Sequence, residues 1–228
     1  MLRRFVPVVN DFLGWLHRSQ RRRPPRQPAK VNMGCGLHVA PGWFNIDYSL
    51  SAYFASWPRP LLKVVYRVTG ARRIFTFDEY CRLLKEHDFV HHNLRYGLPL
   101  VDSSADYLYA SHFIESLSKA EAERLMRDAL RVLKPGGCLR LCCPDLAIAI
   151  RMYQDGQKEE CLRFFYLPQS VSVCSRRRLY DFELLKELLE SVGFQRVERK
   201  AYREGATPDL ELLDNRPDET MYVEAHAP

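Results

Sequence analysis

From Ala29 onward, short apolar runs bounded by turn residues alternate with stretches whose apolar groups recur at helical spacing. This alternation constrains the chain more than any other feature. Strands that alternate with helices build a mainly parallel sheet covered on both faces. Seven strand candidates stand out: KVNMG (30–34), GWFNID (42–47), DFVHHN (88–93), ADYLYASH (105–112), CLRLCCP (138–144), FQRVERKAY (194–202) and MYVEA (221–225). Between them, Ser118 and Glu121 form a capping box, and Ala122, Leu125, Met126, Ala129 and Leu133 mark one helical face that Lys134-Pro135-Gly136-Gly137 stops. A second helix is predicted from Asp181 to Val192, with Leu184, Leu185, Leu188 and Leu189 inward and Gly193 as its stop. The last two strands are joined without a strong helix pattern, so that pair is expected to be antiparallel. The expected fold is α/β, doubly wound, mostly parallel and seven-stranded, with an antiparallel last strand.

The N-terminal segment is of a different kind. Residues 1–30 hold eight bases against the single acid Asp11, a net +7 in a chain whose total is +6. The remaining 198 residues therefore carry a net −1, with no basic stripe of the sort a nucleic-acid reader shows. Leu2, Phe5, Val6, Val9, Phe12, Leu13 and Leu16 have helical spacing, with Pro7 confined to the first turn. SQRRRPPRQPAK then reads as an extended linker separating this tail (1–28) from a body of 29–228. Two readings are open for the tail: an amphipathic helix on an anionic membrane surface, and a helix packed on its own body or on a second subunit. Peripheral membrane or subunit contact through residues 1–28 is thus an expectation. No run of 18 apolar residues reads as a membrane span, and the short, interrupted apolar stretch argues against a cleaved secretory signal. The seven cysteines, including Cys174, show neither CxxC nor zinc spacing and read as small buried hydrophobes in a reducing, cytoplasmic setting. Residues 50–85 are too long for a bare loop, rich in aromatic and basic groups, and are expected to form a helical insertion that roofs a substrate pocket.

In an open parallel sheet the ligand lies beyond the carboxyl ends of the strands, where the winding reverses. After the first strand stands N-M-G-C-G, whose Gly34 and Gly36 permit a tight bend and close backbone approach. Asp47, at the tip of the second strand, can accept both hydroxyls of a ribose. A dinucleotide reader wants a third glycine, where Val39 stands, and an acid about 20 residues on, whereas Asp47 follows Gly36 by 11. Too little chain remains for the helix whose N-terminus holds a pyrophosphate. These residues favour S-adenosyl-L-methionine over NAD.

NMGCGLHVAPGWFNIDYS (32–49), HHNLRYGLPLVDSSADYLYASHFIESLS (91–118), RDALRVLKPGGCLRLCCPDL (127–146), YDFELLKELLESVGFQRVERK (180–200) and LDNRPDETMYVEA (213–225) together resemble the small bacterial class I S-adenosylmethionine-dependent methyltransferases of the type 11-like group. The resemblance spans roughly 29–226 and leaves out 1–28 and about 50–85. It implies a Rossmann-like methyltransferase domain with S-adenosylmethionine as cofactor. It also implies roles. Met33, Gly34, Cys35 and Gly36 would line the methionine moiety, Asp47 would hold the ribose, and Asn93 and Leu94 would border the adenine. Ser111 and His112 would face cofactor and acceptor, and Tyr180 could touch the acceptor. Many relatives read S-H-x-x-E-H, and Ser116 stands here in place of the second His.

Methyl transfer to a hydroxyl needs a base, and His112, Glu115 and Asp145 lie at the right sheet edge. His112 is the first candidate because an ordinary His titrates near neutral pH, and Glu115 would orient it. The counter-reading is that His112 only braces backbone beside the cofactor. Arg176-Arg177-Arg178 reads as a solvated basic loop or, through Arg178, as a grip on an acidic substrate. A metal set of His91, His92, His112 and Glu115 is not expected, because adjacent strand residues point to opposite faces. The expected function is methyl transfer to a hydroxyl or amine of a small molecule such as a sugar or secondary metabolite. The alternative is a catalytically silent protein of the same fold serving as a partner- or membrane-binding subunit.

Overall fold

The computed structural model describes residues 6–165 and 176–228. Leu2, Phe5 and Cys174 lie outside the described residues. Helix α1 (Val6–Leu16) precedes a seven-stranded sheet: β1 (Lys30–Met33), β2 (Phe44–Asp47), β3 (Asp88–His91), β4 (Ala105–Ser111), β5 (Leu133–Pro144), β6 (Gln195–Lys200) and β7 (Thr220–His226). The order is β3-β2-β1-β4-β5-β7-β6. The strands from β3 through β5 pair in parallel, and β7 runs antiparallel to both neighbours. The expected doubly wound sheet with an inverted last strand is therefore present.

Winding runs outward from β1 through β2 to β3, and from β4 onward in the other direction. The reversal falls between β1 and β4, so the carboxyl ends of these two strands flank the crevice where ligands sit. Residues 50–86 between β2 and β3 form α2 (Leu50–Tyr53), α3 (Arg59–Thr69) and α4 (Phe77–Glu86), which close over their own small core of Leu62, Tyr80, Cys81 and Leu84.

The main core forms where one face of the sheet meets two helices. Leu139, Leu141 and Cys143 alternate along β5 toward α5 (Lys119–Val132) and α8 (Phe182–Ser191), against Leu125, Met126, Leu185 and Leu189. Ser118 and Glu121 make the expected capping box on α5, and Asp181 caps α8. α5 ends at Val132, ahead of Lys134-Pro135-Gly136-Gly137, which instead belongs to the start of β5. The break comes early because Leu133 turns extended and pairs with Ala105 of β4.

The opposite face carries Arg140 and Cys142. Arg140 is fully buried, and its guanidinium donates to Asp214 (Nε–Oδ1 3.0 Å) and to Glu224 (Nη1–Oε1 3.2 Å). It also donates to the carbonyls of Glu204 and Ala201. Around this group folds the connection from β6 to β7, with the short helix α9 (Leu210–Leu213). α6 (Leu146–Gln154) and α7 (Lys158–Phe165) pack on each other through Ala149, Cys161 and Phe164.

The linker does not hold α1 away from the body. Arg22 bridges Leu100 in parallel, donating its N–H to Pro99 and accepting from Val101. Backbone donors that a free linker would leave to water are thereby paired along residues 99–101.

Two expectations follow from buried charge and buried imidazole. Replacing Arg140 by Met strands two buried carboxylates, and should cost about 3–5 kcal/mol in denaturant unfolding. His92 is fully buried, with Nε2 3.0 Å from the Gly97 carbonyl, and burial pulls its pKa down to about 4. It stays neutral when folded but takes a proton when unfolded, so stability should fall as the pH drops from about 6.5 to about 4, by up to roughly 3 kcal/mol. Melting curves of wild type and His92→Gln across this window check it: the variant's dependence should be shallower.

Candidate active site

The bend after β1 is held by β2. The N–H groups of Gly34 and Cys35 both donate to Ile46 O (2.8 and 3.3 Å), and Gly36 N–H donates to Asp47 Oδ2 (2.8 Å). The other oxygen of Asp47 accepts Ser49 N–H (2.7 Å), fixing the start of α2. One carboxylate thus ties the glycine bend to the tip of β2. Each of its oxygens has two lone-pair sites, so acceptor capacity remains for a sugar hydroxyl.

The two glycines are not equivalent. Both have positive φ (66° at Gly34, 56° at Gly36). A Cβ at Gly34 would lie 2.5 Å from the Phe113 ring, whereas one at Gly36 would meet nothing within 4 Å. Gly34 makes room for Phe113, and Gly36 leaves open space at the crevice. Met33 is buried in the main core, and burial raises the Cys35 thiol pKa well above its ordinary value.

At the end of β3, Asn93 Oδ1 accepts Arg95 N–H (3.1 Å), and Leu94 is buried. The neighbour here is α1, packed on its own body as one of the two readings of the tail expects. Its Asp11 accepts from the Tyr48 hydroxyl, and its Gly14 is packed so closely that a Cβ would lie 2.8 Å from Tyr48 Cε2 and 3.2 Å from Asn93 Cβ. His17 stacks on Tyr53 and meets His91 edge-on. The N-terminal helix therefore covers the end of the crevice expected to take adenine. The helical spacing of the tail pointed to a packed helix, but not to the place where it would pack.

Beyond β4, Ser111 and His112 reach the crevice. His112 adopts the left-handed region (φ 50°), with its N–H donating to Cys142 O (2.8 Å). Its Nε2 lies 3.1 Å from the Thr220 hydroxyl of β7, and its Nδ1 lies 3.7 Å from Glu115 Oε1. Thr220 as the second neighbour of this ring was not foreseen, since β7 lies 108 residues away in sequence. Glu115 is buried, and its backbone carbonyl receives the N–H groups of Arg177 (2.7 Å) and Arg178 (3.1 Å). Arg178 sits over the ring of Tyr180, whose buried hydroxyl has its pKa pushed up to about 12 by desolvation. Asp145, the third candidate base, is fixed as the N-cap of α6 and paired with Arg199 at 2.5 Å. Ser116 donates its hydroxyl to Phe113 O and closes the turn after β4.

Buried polar atoms gather here without hydrogen-bond partners among the described residues: Ser111 Oγ, His112 Nδ1, Glu115 Oε2, Tyr180 OH, Arg178 Nε and Asn215 Oδ1. Most buried polar atoms in folded proteins are paired, so a cluster of orphans marks a place where a ligand or water completes the set. A cavity of about 130 Å³ lies among Asn32, Cys35, His38, Tyr109, Ser111, His112, Asn215 and Arg216. Arg216 also lines a larger cleft of about 390 Å³ with Met152, Glu160, Arg163, Phe164, Asp218 and Glu219. An open Gly36, a carboxylate at the bend and orphaned groups beyond β4 fit an adenosyl sulfonium with an acceptor beside it.

A family profile described as a methyltransferase domain matches residues 52–141, less than half of the chain. It begins inside the helical insertion, so the family pattern reaches further into 50–85 than the motifs alone indicated. No functionally curated protein matches. Among solved structures, the fold is similar to a SAM-dependent methyltransferase from Archaeoglobus fulgidus (TM-score 0.51, 14% identity, 96% of this chain and 93% of that one). It is also similar to the S-adenosylmethionine-dependent methyltransferase SibL in its apo form (TM-score 0.50, 16% identity, 98% and 56%). A third is a chain described as a possible exported protein from Bordetella parapertussis (TM-score 0.50, 16% identity, 96% and 66%). The chain spans just under two thirds of the Bordetella protein and just over half of SibL. The domain match and the fold support S-adenosylmethionine as the cofactor, and the chain has the fold of the class I S-adenosylmethionine-dependent methyltransferases.

Proposed function

We propose that this protein moves a methyl group from S-adenosylmethionine to a hydroxyl or amine of a small molecule, a sugar or secondary metabolite by class. The observation that carries this reading is the Gly36–Asp47 tie at the bend after β1, together with the unpartnered Ser111 and His112 that line one cavity with Cys35 of the bend. When bound, the cofactor supplies an electrophilic methyl on its sulfonium. The chain then has to orient, desolvate and manage one proton.

In this reading Met33, Gly34, Cys35 and Gly36 border the methionine end, and Asp47 accepts from the ribose. Asn93 and Leu94 flank the adenine. With a hydroxyl acceptor, His112 would take the hydroxyl proton while the cofactor would supply the methyl group. Thr220 can accept from Nε2 and orient the ring, which leaves Nδ1, 3.7 Å from Glu115 and without a hydrogen-bond partner among the described residues, as the atom that takes the proton. Tyr180 and Arg178 touch the acceptor. The six cysteines among the described residues are free and buried, which fits a reducing compartment such as the cytoplasm.

Binding of the demethylated product tests the reading without knowledge of the acceptor. At a concentration about 100 times its dissociation constant, S-adenosylhomocysteine should stabilise the protein by about 2.7 kcal/mol, seen as a raised Tm. Asp47→Ala should erase the rise. A wild-type Tm that does not move with either form of the cofactor would refute it.

A further inference from the structure

Charge in this molecule is strongly divided. Residues 1–30 carry a net +7, and residues 57–74 (WPRPLLKVVYRVTGARRI) hold five bases and no acid. Residues 75–228, by contrast, hold 21 bases and 26 acids, a net −5. Both basic segments also expose large apolar side chains, as α6 and α7 do at Ile150, Tyr153, Leu162 and Phe165. On α1, Val8, Phe12 and Trp15 form one exposed stripe, Phe12 being 59% and Trp15 50% exposed, with Leu16 beside them. Around α3, Trp57, Leu61, Val64 and Ile74 are exposed in the same way. The segments adjoin through a run of ring contacts: His17 on Tyr53, Tyr53 on Phe54, Phe54 on Trp57.

The only acid of the first thirty residues, Asp11, is tied to the Tyr48 hydroxyl on the body side of α1. The stripe itself is thus bordered by Arg18, which lies over Trp15, and by the arginines that follow. α1 has 11 residues, about 16 Å of helix, too short to cross a bilayer. No helix among the described residues is long and apolar enough to do so. A short helix with Trp and Phe on one face and Arg at its end has the chemistry of an interfacial anchor.

We infer that α1 and α3 form one docking face whose occupant is the surface of an anionic lipid bilayer. Apolar stripes enter the headgroup region, and bases beside them such as Arg18, Lys63 and Arg72 meet lipid phosphates and carboxylates, while Arg26 and Arg59 are paired with Asp88 and Asp78. The inference does not depend on methyl transfer. Its consequence for the site is geometric: the helix that meets the bilayer on one side rests on Tyr48 and Asn93 on the other.

The test uses the full chain and vesicles of phosphatidylcholine with about one-third phosphatidylserine, against phosphatidylcholine alone. The protein should sediment with the anionic vesicles and not with the neutral ones, and high salt should weaken binding. Brominated lipid should quench the exposed Trp15 and Trp57, while Trp43 lies in the core. Phe12→Glu with Trp15→Glu should lower partitioning by about tenfold or more, and Leu61→Glu with Val64→Glu should do the same from α3. Circular dichroism and an unchanged Tm establish that each variant is folded. Three results overturn the inference: no sedimentation with anionic vesicles, sedimentation unaltered in both folded variants, or a dimer by light scattering that the α1 variant makes monomeric without any vesicle binding. The last would give the face to a second copy.

Discussion

One buried cation organises the half of the molecule that helices leave uncovered. On the face of β5 opposite α5 and α8, the sheet is roofed by the irregular connection between β6 and β7, and irregular backbone brings polar groups that must be paired. Arg140 donates to two of its carbonyls, Asp214 accepts the Arg203 N–H, and Glu224 accepts from Ala206 and Thr207. The three charged side chains serve as surrogate strand partners for a loop that has none. Burying them without one another would be far costlier than burying them together. Because the loop is pinned, Asn215 and Arg216 arrive at the crevice, and Leu213 receives both His38 and the Tyr109 hydroxyl.

The crevice itself is a consequence of strand order. Reversal of winding between β1 and β4 leaves their carboxyl ends without a crossing connection between them, and the glycine bend turns away into that gap. Asp47 keeps the bend and β2 in register by holding one N–H on each side. The same carboxylate that would clasp a sugar is therefore a structural tie in the protein, which couples cofactor binding to the integrity of the bend.

Legibility in the sequence followed the range of the interactions. Strands and helix caps depend on neighbours a few residues apart, which the apolar runs and the Ser118–Glu121 box displayed, and the inverted last strand followed from the missing helix pattern between β6 and β7. Asp47 and the glycines were legible because the bend and the next strand tip lie 11 residues apart. Arg140 was not. In CLRLCC it reads as the polar half of an alternating strand, and nothing local says that two acids 74 and 84 residues on will bury it. Likewise Phe113 against Gly34, Thr220 against His112 and α1 against Asn93 are all tertiary meetings of segments whose own patterns are unremarkable. A Pro- and Arg-rich linker suggested separation, yet its backbone pairs with residues 99–101, because an extended segment beside an unpaired strand-like edge satisfies both.

The distribution of unpaired groups is itself an argument about function. Much of the remaining interior is paired: the Asn32 and Asn45 amides bond across β1 and β2, and Asp106 is tied to Ala29 and Lys134, while a smaller group of unpartnered atoms, Asn10 Oδ1, both His91 ring nitrogens and His92 Nδ1, lies where α1 meets β3. Most of the orphaned atoms and the left-handed His112 fall instead within the few residues after β4 and the segments packed on them. Each buried group left without a partner costs about 1–3 kcal/mol, and a non-glycine residue held at positive φ adds to that. A stable domain tolerates such local expense where a bound molecule repairs it. The repair calls for something polar in the cavity that Cys35, Ser111, His112 and Asn215 line, beside the larger cleft with which it shares Arg216.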